Sequence, residues 1–310
     1  MNILSIKGGG SRLIIISTFL KEIEKITQQP IHKLFNFLGG ASAGALAITG
    51  ILLSEDSVNA KYTAEQLHNL FLSNITQCFT WSYYSYMTSL FGLIGPKYTS
   101  DGLHKVIDAF CGSYQMKHLL RPVIFPAYDR ISNKSYYFDN KDSEITLKDA
   151  LIACSAAPLI FASHRMTINN CEYNLIDSGI VSNNPVGLTY LKATHNMSIL
   201  DKNKILLINI GTGYFPKTST DSQGLVGWAS QIVDTLMSAT EANELYELTL
   251  RVPEENYFIL DVPLDIKYYQ MDNTSPEVIQ YYITQTELWI DKNQDKMKAF
   301  CDKLVANIGL

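Results

Sequence analysis

The residues from Leu34 to Leu53 carry no charge, and this run limits what the chain can fold into more than any other feature. It is about as long as the ~20 apolar residues that a membrane-spanning helix needs. However, it contains four glycines and one serine within FLGGASAGALAITG, and each glycine inside a helix costs about 1 kcal/mol relative to alanine. The run therefore predicts a buried strand that ends at Gly40, then a turn, then a buried helix.

The turn within this run has the pattern G-x-S-x-G, from Gly40 to Gly44. In a nucleophile elbow, a serine lies on a tight strand-to-helix turn, and small neighbours are needed because the flanking backbones crowd it. The amino terminus of the following helix also favours negative charge there. The motif alone is a weak signal, and the predicted strand and helix on either side strengthen it. We therefore predict that Ser42 is a nucleophile and that Gly40 and Gly44 shape its elbow.

A second glycine-rich turn lies near the amino terminus. NILSI, from Asn2 to Ile6, predicts a short buried strand; KGGGSR, from Lys7 to Arg12, follows it, and an amphipathic helix comes next. Glycine lets another group approach the backbone closely, and the free N–H groups at a helix start favour a negative oxygen. The segment is equally typical of an ordinary flexible turn. A phosphate-binding loop is disfavoured because neither GxxxxGK[ST] nor GxGxxG is present.

A nucleophilic serine needs a general base, and the sequence offers two candidates. His195 is the only late histidine, as the Ser-Asp-His order of α/β-hydrolases requires, but LKATHNMS predicts a solvated position at the end of a helix. Asp177 follows an apolar strand in NLIDSGIVSNNP. Aspartate before glycine is also common in turns and caps. The elbow follows at most two predicted strands, which disfavours the α/β-hydrolase order and leaves Asp177 open as a base or a turn residue.

Composition excludes several classes of protein. The net charge is −5, and no basic block is present, which argues against nucleic acid as a partner. The cysteines lack the spacing of a zinc site, and we expect reduced, mostly buried thiols and neither a metal nor a cofactor. These scattered cysteines are Cys78, Cys111, Cys154, Cys171 and Cys301.

The apolar stretch RLIIISTFL, from Arg12 to Leu20, is a candidate signal peptide. It lacks a small-x-small cleavage site, and charged residues follow it at once. Its apolar positions have helical spacing instead. We therefore expect no cleavable signal peptide and a cytoplasmic or peripheral membrane location.

The combination of these motifs resembles the patatin-like phospholipases. The resemblance rests on the glycine loop, the G-x-S-x-G elbow, and Asp177 before Asn-Asn-Pro. Four further segments extend it along nearly the whole chain: KYTSDGL (Lys97 to Leu103), ALIACSAAPLIFAS (Ala150 to Ser163), LLINIGTG (Leu206 to Gly213) and MDNTSPEVIQYYI (Met271 to Ile283).

The resemblance implies a three-layer α/β/α fold with a central, mostly parallel sheet. It implies one catalytic domain over residues 1–310, with helical additions from about residue 225. It also implies a Ser42–Asp177 dyad that cleaves fatty-acyl esters without a metal, as a phospholipase A or lysophospholipase does. The implied oxyanion hole consists of Gly8, Gly9 and Gly10, supported by Arg12.

Three positions depart from the pattern of the family. It usually has an acidic or small residue at Lys7, a glycine at Leu13, and a glycine at Ser178. No reacting group is lost, so these departures bear on efficiency and regulation. Two alternatives remain: a weakly catalytic storage or lipid-binding protein, and a Ser-His-Asp esterase that uses His195.

The stretch CFTWSYYSYMTSLFGLIGP, from Cys78 to Pro96, is uncharged and rich in aromatic residues. Such side chains suit a lipid–water boundary, although core packing or a subunit contact is the slightly more common explanation for them. We expect a phospholipid or other acyl lipid as substrate, with peripheral membrane contact through this stretch. The oligomeric state is left open, and delivery into a host cell by a dedicated secretion system is compatible with the sequence.

Overall fold

Eight strands form one sheet in the part of the chain that a computed structural model describes, residues 1–80, 95–197, 202–215 and 232–308. The strands are β1 (Asn2–Ile6), β2 (Phe37–Gly40), β3 (Val123–Asp129), β4 (Lys134–Asp139), β5 (His164–Ile168), β6 (Cys171–Asp177), β7 (Leu206–Ile210) and β8 (Tyr257–Leu260). Their order is β5-β6-β3-β2-β1-β7-β8, and β4 also pairs with β3. The run from β3 to β8 is parallel, whereas β4, β5 and β6 add antiparallel pairs at one side.

Helices cover both faces of this sheet. They are α1 (Leu13–Thr27), α2 (Ile31–Leu34), α3 (Ala43–Leu52), α4 (Ala64–Cys78), α5 (Asp101–Cys111), α6 (Leu147–Ser155), α7 (Gly179–Ser182), α8 (Val186–Met197), α9 (Ile232–Thr249), α10 (Pro276–Lys292) and α11 (Gln294–Ile308).

Alternate side chains of a strand point to opposite faces of the sheet, and in the central strand β1 both sets of side chains are buried. Ile3 packs with Val186 and Tyr190 of α8 on one face. Leu4 and Ile6 belong to a larger core on the other face, which includes residues of α1, α3 and α4. The predicted three-layer α/β/α architecture with a mostly parallel sheet is therefore confirmed.

The uncharged run from Leu34 to Leu53 divides as the sequence predicts. It forms the buried strand β2 and the buried helix α3, with a turn between Gly40 and Ala43. Within the described ranges, no helix is both long enough and apolar enough to cross a membrane.

The edge of β3 explains how two distant segments meet. Its first residues, Val123 and Ile124, pair with β2 in parallel, and its last residues, from Ala127 to Asp129, pair with β6 in antiparallel. Strands β2 and β6 therefore approach each other along one edge from opposite directions. The two strands therefore meet at their carboxyl ends, and the turns after Gly40 and Asp177 are adjacent.

The carboxyl-terminal region contains more than helices. Helices α10 and α11 pack against α1, and the strand β8 extends the sheet beside β7, which the sequence did not predict. All five cysteines are free and four of them are buried, as predicted. Most of the aromatic stretch from Cys78 to Pro96 lies outside the described residues.

Candidate active site

Ser42 lies at the tip of a tight turn between β2 and α3, and it is the residue that caps the amino terminus of α3. Its φ and ψ angles are 49° and −118°, a conformation that few non-glycine residues adopt. A Cβ atom on Gly44 would lie 2.4 Å from the carbonyl oxygen of Ile6, and one on Gly40 would lie 2.6 Å from the Gly44 carbonyl carbon. The two glycines are thus required by the crowding of the backbones. The backbone conformation of Ser42 is strained, and strain of this kind costs on the order of 1–3 kcal/mol and is typical of functional sites.

The side chain of Ser42 lies beside the carboxylate of Asp177, the last residue of β6, and its hydroxyl group favours the ionised form of that carboxylate. The N–H group of Gly179 donates a hydrogen bond to Oδ1 of Asp177, at 2.8 Å. Asp177 is 4% exposed, and burial raises the pKa of its carboxyl group to about 6, although the Ser42 hydroxyl group and the Gly179 N–H group act in the opposite direction. A carboxylate of that pKa can accept a proton near neutral pH.

The glycine loop after β1 is held on both sides. The N–H group of Gly8 donates to the carbonyl oxygen of Asn183 at 2.9 Å, and Thr212 Oγ1 donates to the carbonyl oxygen of Gly8 at 2.8 Å. The N–H group of Ser11 donates to the carbonyl oxygen of Met271 at 2.7 Å. These contacts fix the loop beside the elbow, and a Cβ atom on Gly8 would lie 3.3 Å from Ser42 Cβ.

The predicted oxyanion residues differ in what their backbones do. The Gly8 N–H group is occupied by Asn183, whereas those of Gly9 and Gly10 donate to no acceptor within the described residues. Gly9 and Gly10 line the same cavity as Ser42. The buried guanidinium group of Arg12 reaches the carbonyl oxygen of Gly9 through Nε at 3.4 Å, so positive charge lies directly behind the loop.

An apolar cavity of about 200 Å³ opens from Ser42 and Asp177. Leu46 of α3 forms part of its wall, and α4 and α5 supply a further part of it. The residues from these two helices are Leu70, Phe71, Asn74, Ile75, Cys78, Leu103, Val106, Ile107 and Phe110. A polar dyad at the end of an apolar cavity suits a substrate that joins a reactive ester to a hydrocarbon chain.

His195 lies apart from this arrangement. It is exposed in the last turn of α8, and no histidine lines the cavity among the described residues. In the same ranges, no group of three His, Cys, Asp or Glu side chains is placed to hold a metal ion.

Three residues contribute to the site that sequence reasoning did not assign to it. Asn183 joins the glycine loop to the Asp177 loop, while Thr212 and Met271 hold the glycine loop from the opposite side. They lie in the segments NNP, GTG and MDNTSP, which are part of the sequence resemblance to the family. However, their partners are distant in the chain, and the sequence does not indicate which segments meet.

Comparison with known proteins gives relatives in plants and bacteria. The chain is 25% identical over 259 residues to patatin-like protein 2 of Arabidopsis thaliana, covering 74% of this chain and 64% of the relative. It is 26% identical over 293 residues to a cGAMP-activated phospholipase of Escherichia coli (strain TW11681), covering 84% and 80%. The chain thus spans less than two thirds of that plant relative. The solved structure of VipD from Legionella pneumophila aligns with 13% identity and a TM-score of 0.40, over 94% of this chain and 66% of that chain.

A family profile described as patatin-like phospholipase matches residues 4–190. The match is more than half of the chain, and it includes the glycine loop, the Ser42 elbow and Asp177. The chain belongs to the patatin-like phospholipase family.

Proposed function

We propose that the protein is a lipid acyl hydrolase of the phospholipase A or lysophospholipase type, and that Ser42 and Asp177 carry the reaction. The observation that carries this proposal is the placement of the Ser42 hydroxyl group beside the buried Asp177 carboxylate, where both side chains line an apolar cavity. Family membership supports lipid acyl hydrolysis in general. The bacterial relative that is named a phospholipase supports a phospholipid substrate.

The reaction proceeds in two halves. Ser42 Oγ attacks the ester carbonyl carbon while its proton passes to Asp177, and a tetrahedral intermediate with a negatively charged oxygen forms. The bond to the alcohol oxygen then breaks, and Asp177 returns the proton to the departing alcohol. In the second half, Asp177 takes a proton from water, whose oxygen attacks the acyl-serine. Collapse of the second intermediate releases the fatty acid and restores the Ser42 hydroxyl group with the proton from Asp177.

The N–H groups of Gly9 and Gly10 stabilise the negative oxygen of both intermediates. Neither N–H group donates to another acceptor in the part of the chain that the structure describes, which supports this role, whereas the Gly8 N–H group serves to hold the loop through Asn183. Arg12 adds positive charge behind Gly9. Preorganised donors of this kind are usually a large source of rate enhancement, and losing one costs about 10²–10³ in rate.

The substrate reaches the cavity from a lipid surface through an exposed apolar rim. Leu159 is 69% exposed and has a positive φ of 70°, and its neighbours Pro158 and Ile160 both line the cavity. Val181 and Leu236, each next to a residue that lines the cavity, are also exposed. Apolar side chains that continue a lipid cavity onto the surface suit insertion into a membrane interface.

A defined lipid panel tests the proposal. Phospholipids, lysophospholipids and galactolipids are each incubated with the wild type and with Ser42→Ala, and the products are identified by mass spectrometry. Release of free fatty acid by the wild type alone is the expected result. Binding of lipid without release of any fatty acid would assign the protein to the storage or binding class instead.

A further inference from the structure

Lys7, which directly precedes the glycine loop, forms an ion pair with Glu241 of α9. Its Nζ atom lies 2.7 and 2.9 Å from the two carboxylate oxygens, and the side chains of Lys7 and Glu241 are 13% and 22% exposed. A pair that is largely shielded from water is screened less by salt than a surface pair. This contact therefore anchors the start of the glycine loop to a helix that is distant in sequence.

The same helix also holds the loop after Asp177. Glu241 Oε1 accepts a hydrogen bond from Asn184 Nδ2 at 3.1 Å. One turn further along α9, Glu244 Oε1 accepts a hydrogen bond from Ser182 Oγ at 3.0 Å. Asn184 is almost completely buried, and its contact with Glu241 is partly shielded from water.

Glu241 is thus shared between the two loops that must align for catalysis. The loops also touch directly, because the Gly8 N–H group donates to the Asn183 carbonyl oxygen. Met237, one turn before Glu241, lines the acyl cavity. Helix α9 therefore contacts the acyl cavity, the glycine loop and the Asp177 loop along one side.

Building on the proposed function, we propose that Glu241 is a positioning residue for the oxyanion hole. It acts through Lys7 on the glycine loop and through Asn184 on the Asp177 loop, and it does not touch the reacting atoms. A small displacement of a catalytic group is sufficient to lower the rate, since an error of 1 Å can cost about 10²-fold.

The choice of variant follows from a third group near Lys7. Asp261 accepts hydrogen bonds from the N–H groups of Gly213 and Val262 through Oδ1. Burial raises the pKa of Asp261 to about 6, and the positive charge of Lys7 opposes that shift. Removing Lys7 would leave Asp261 and Glu241 facing each other. Glu241→Gln is the gentler change, because it keeps the shape and leaves Lys7 with a carboxylate neighbour.

In Glu241→Gln, we expect kcat per active site to fall about 10- to 100-fold, with KM changed less than about threefold. Active sites are counted by fluorophosphonate labelling of Ser42, so partial unfolding does not enter the comparison. Amide hydrogen exchange in the peptide over residues 7–13 should accelerate as well, and this readout does not require activity. Lys7→Arg, which keeps the charge, should retain most of kcat.

Glu247→Gln is the matched control, since Glu247 lies on α9 and its exposed side chain pairs with Arg251 at 3.7 Å. It should leave kcat and exchange unchanged. Wild-type exchange over residues 7–13 together with wild-type kcat in Glu241→Gln would overturn the inference. If the variant does not fold, Glu241→Asp should give a smaller change in the same direction, and no change would overturn it equally. Failure of the proposed function is distinct, because it would be seen in the wild type, while the exchange result still decides the role of Glu241.

Discussion

The Ser42 side chain lies beside the Asp177 carboxylate because β2 and β6 end at the same place on the edge of β3. One strand arrives in parallel and the other in antiparallel, so their last residues face each other. Backbone pairing within the sheet therefore brings together the proposed nucleophile, in the turn after β2, and the proposed base, at the end of β6.

Replacement of Ser42 by alanine should lower ester hydrolysis about 10⁴-fold or more, because it removes the nucleophile. A fluorophosphonate probe should label the wild type at Ser42 and fail to label Ser42→Ala, as mass spectrometry of the labelled peptide can establish. Ser73→Ala, at an exposed serine of α4, is the matched control. Labelling of another serine in the wild type would contradict the assignment.

The rate should follow the protonation of Asp177. Only its carboxylate form can accept the Ser42 proton, and burial places its pKa at about 6. kcat/KM for a soluble ester should therefore be constant above about pH 7 and fall tenfold per pH unit below about pH 6. Burial also raises the pKa of Glu244, to about 7, so Glu244→Gln is the control: it should keep the acid limb. A limb that disappears in Glu244→Gln would assign the titration to Glu244.

Asp177→Asn should abolish hydrolysis and yet stabilise the fold at neutral pH. The folded-state pKa of Asp177 lies above the ordinary value of 3.8, so the native state binds more protons than the unfolded state between about pH 4 and pH 6. Its ionisation therefore lowers the free energy of unfolding as pH rises through that window, by on the order of 3 kcal/mol in total. Asparagine avoids this cost and retains an acceptor for Ser42 and Gly179.

Urea denaturation measures the effect. The free energy of unfolding of Asp177→Asn should exceed that of the wild type at pH 7, and the two should converge near pH 4. The exposed His195→Ala variant should keep most of the activity and the stability of the wild type at both pH values. Loss of hydrolysis in His195→Ala, with Asp177→Asn still active, would establish a triad in place of the dyad.

Local patterns in the sequence predicted the elements that surround the reaction. The strands β1 and β2 are short, apolar and followed by glycine turns, and such signals depend only on neighbouring residues. The strand β8 was missed because it is four residues long and only Leu260 within it is fully buried, which leaves no clear pattern. Its place in the sheet depends on pairing with β7 rather than on its own side chains.

The residues of the site likewise differ in whether neighbouring residues alone predict their roles. Ser42 and the glycine loop have local signatures, whereas the occupation of the Gly8 N–H group depends on Asn183, which is distant in sequence. The three glycines are identical in sequence terms, and only the packing of a remote loop distinguishes Gly8 from Gly9 and Gly10. The pairing of Lys7 with Glu241 is of the same kind, because any of many acidic residues satisfies charge complementarity.

Leu159 provides a test of the apolar rim that does not weaken the core. Its side chain is exposed and its φ is positive, a conformation that asparagine tolerates better than leucine. Leu159→Asn should therefore leave thermal stability unchanged or raised, while removing apolar surface that enters a lipid interface. Burying a leucine side chain contributes about 1.5–3 kcal/mol, so vesicle binding and hydrolysis of vesicle lipids should fall about 10- to 100-fold. Hydrolysis of a soluble short-chain ester should stay near the wild-type rate because no interface is needed.

Leu288→Asn, at an exposed leucine of α10 that does not line the cavity, should change neither activity. Equal losses on vesicles and on the soluble ester would place Leu159 in the reaction site rather than at a membrane contact.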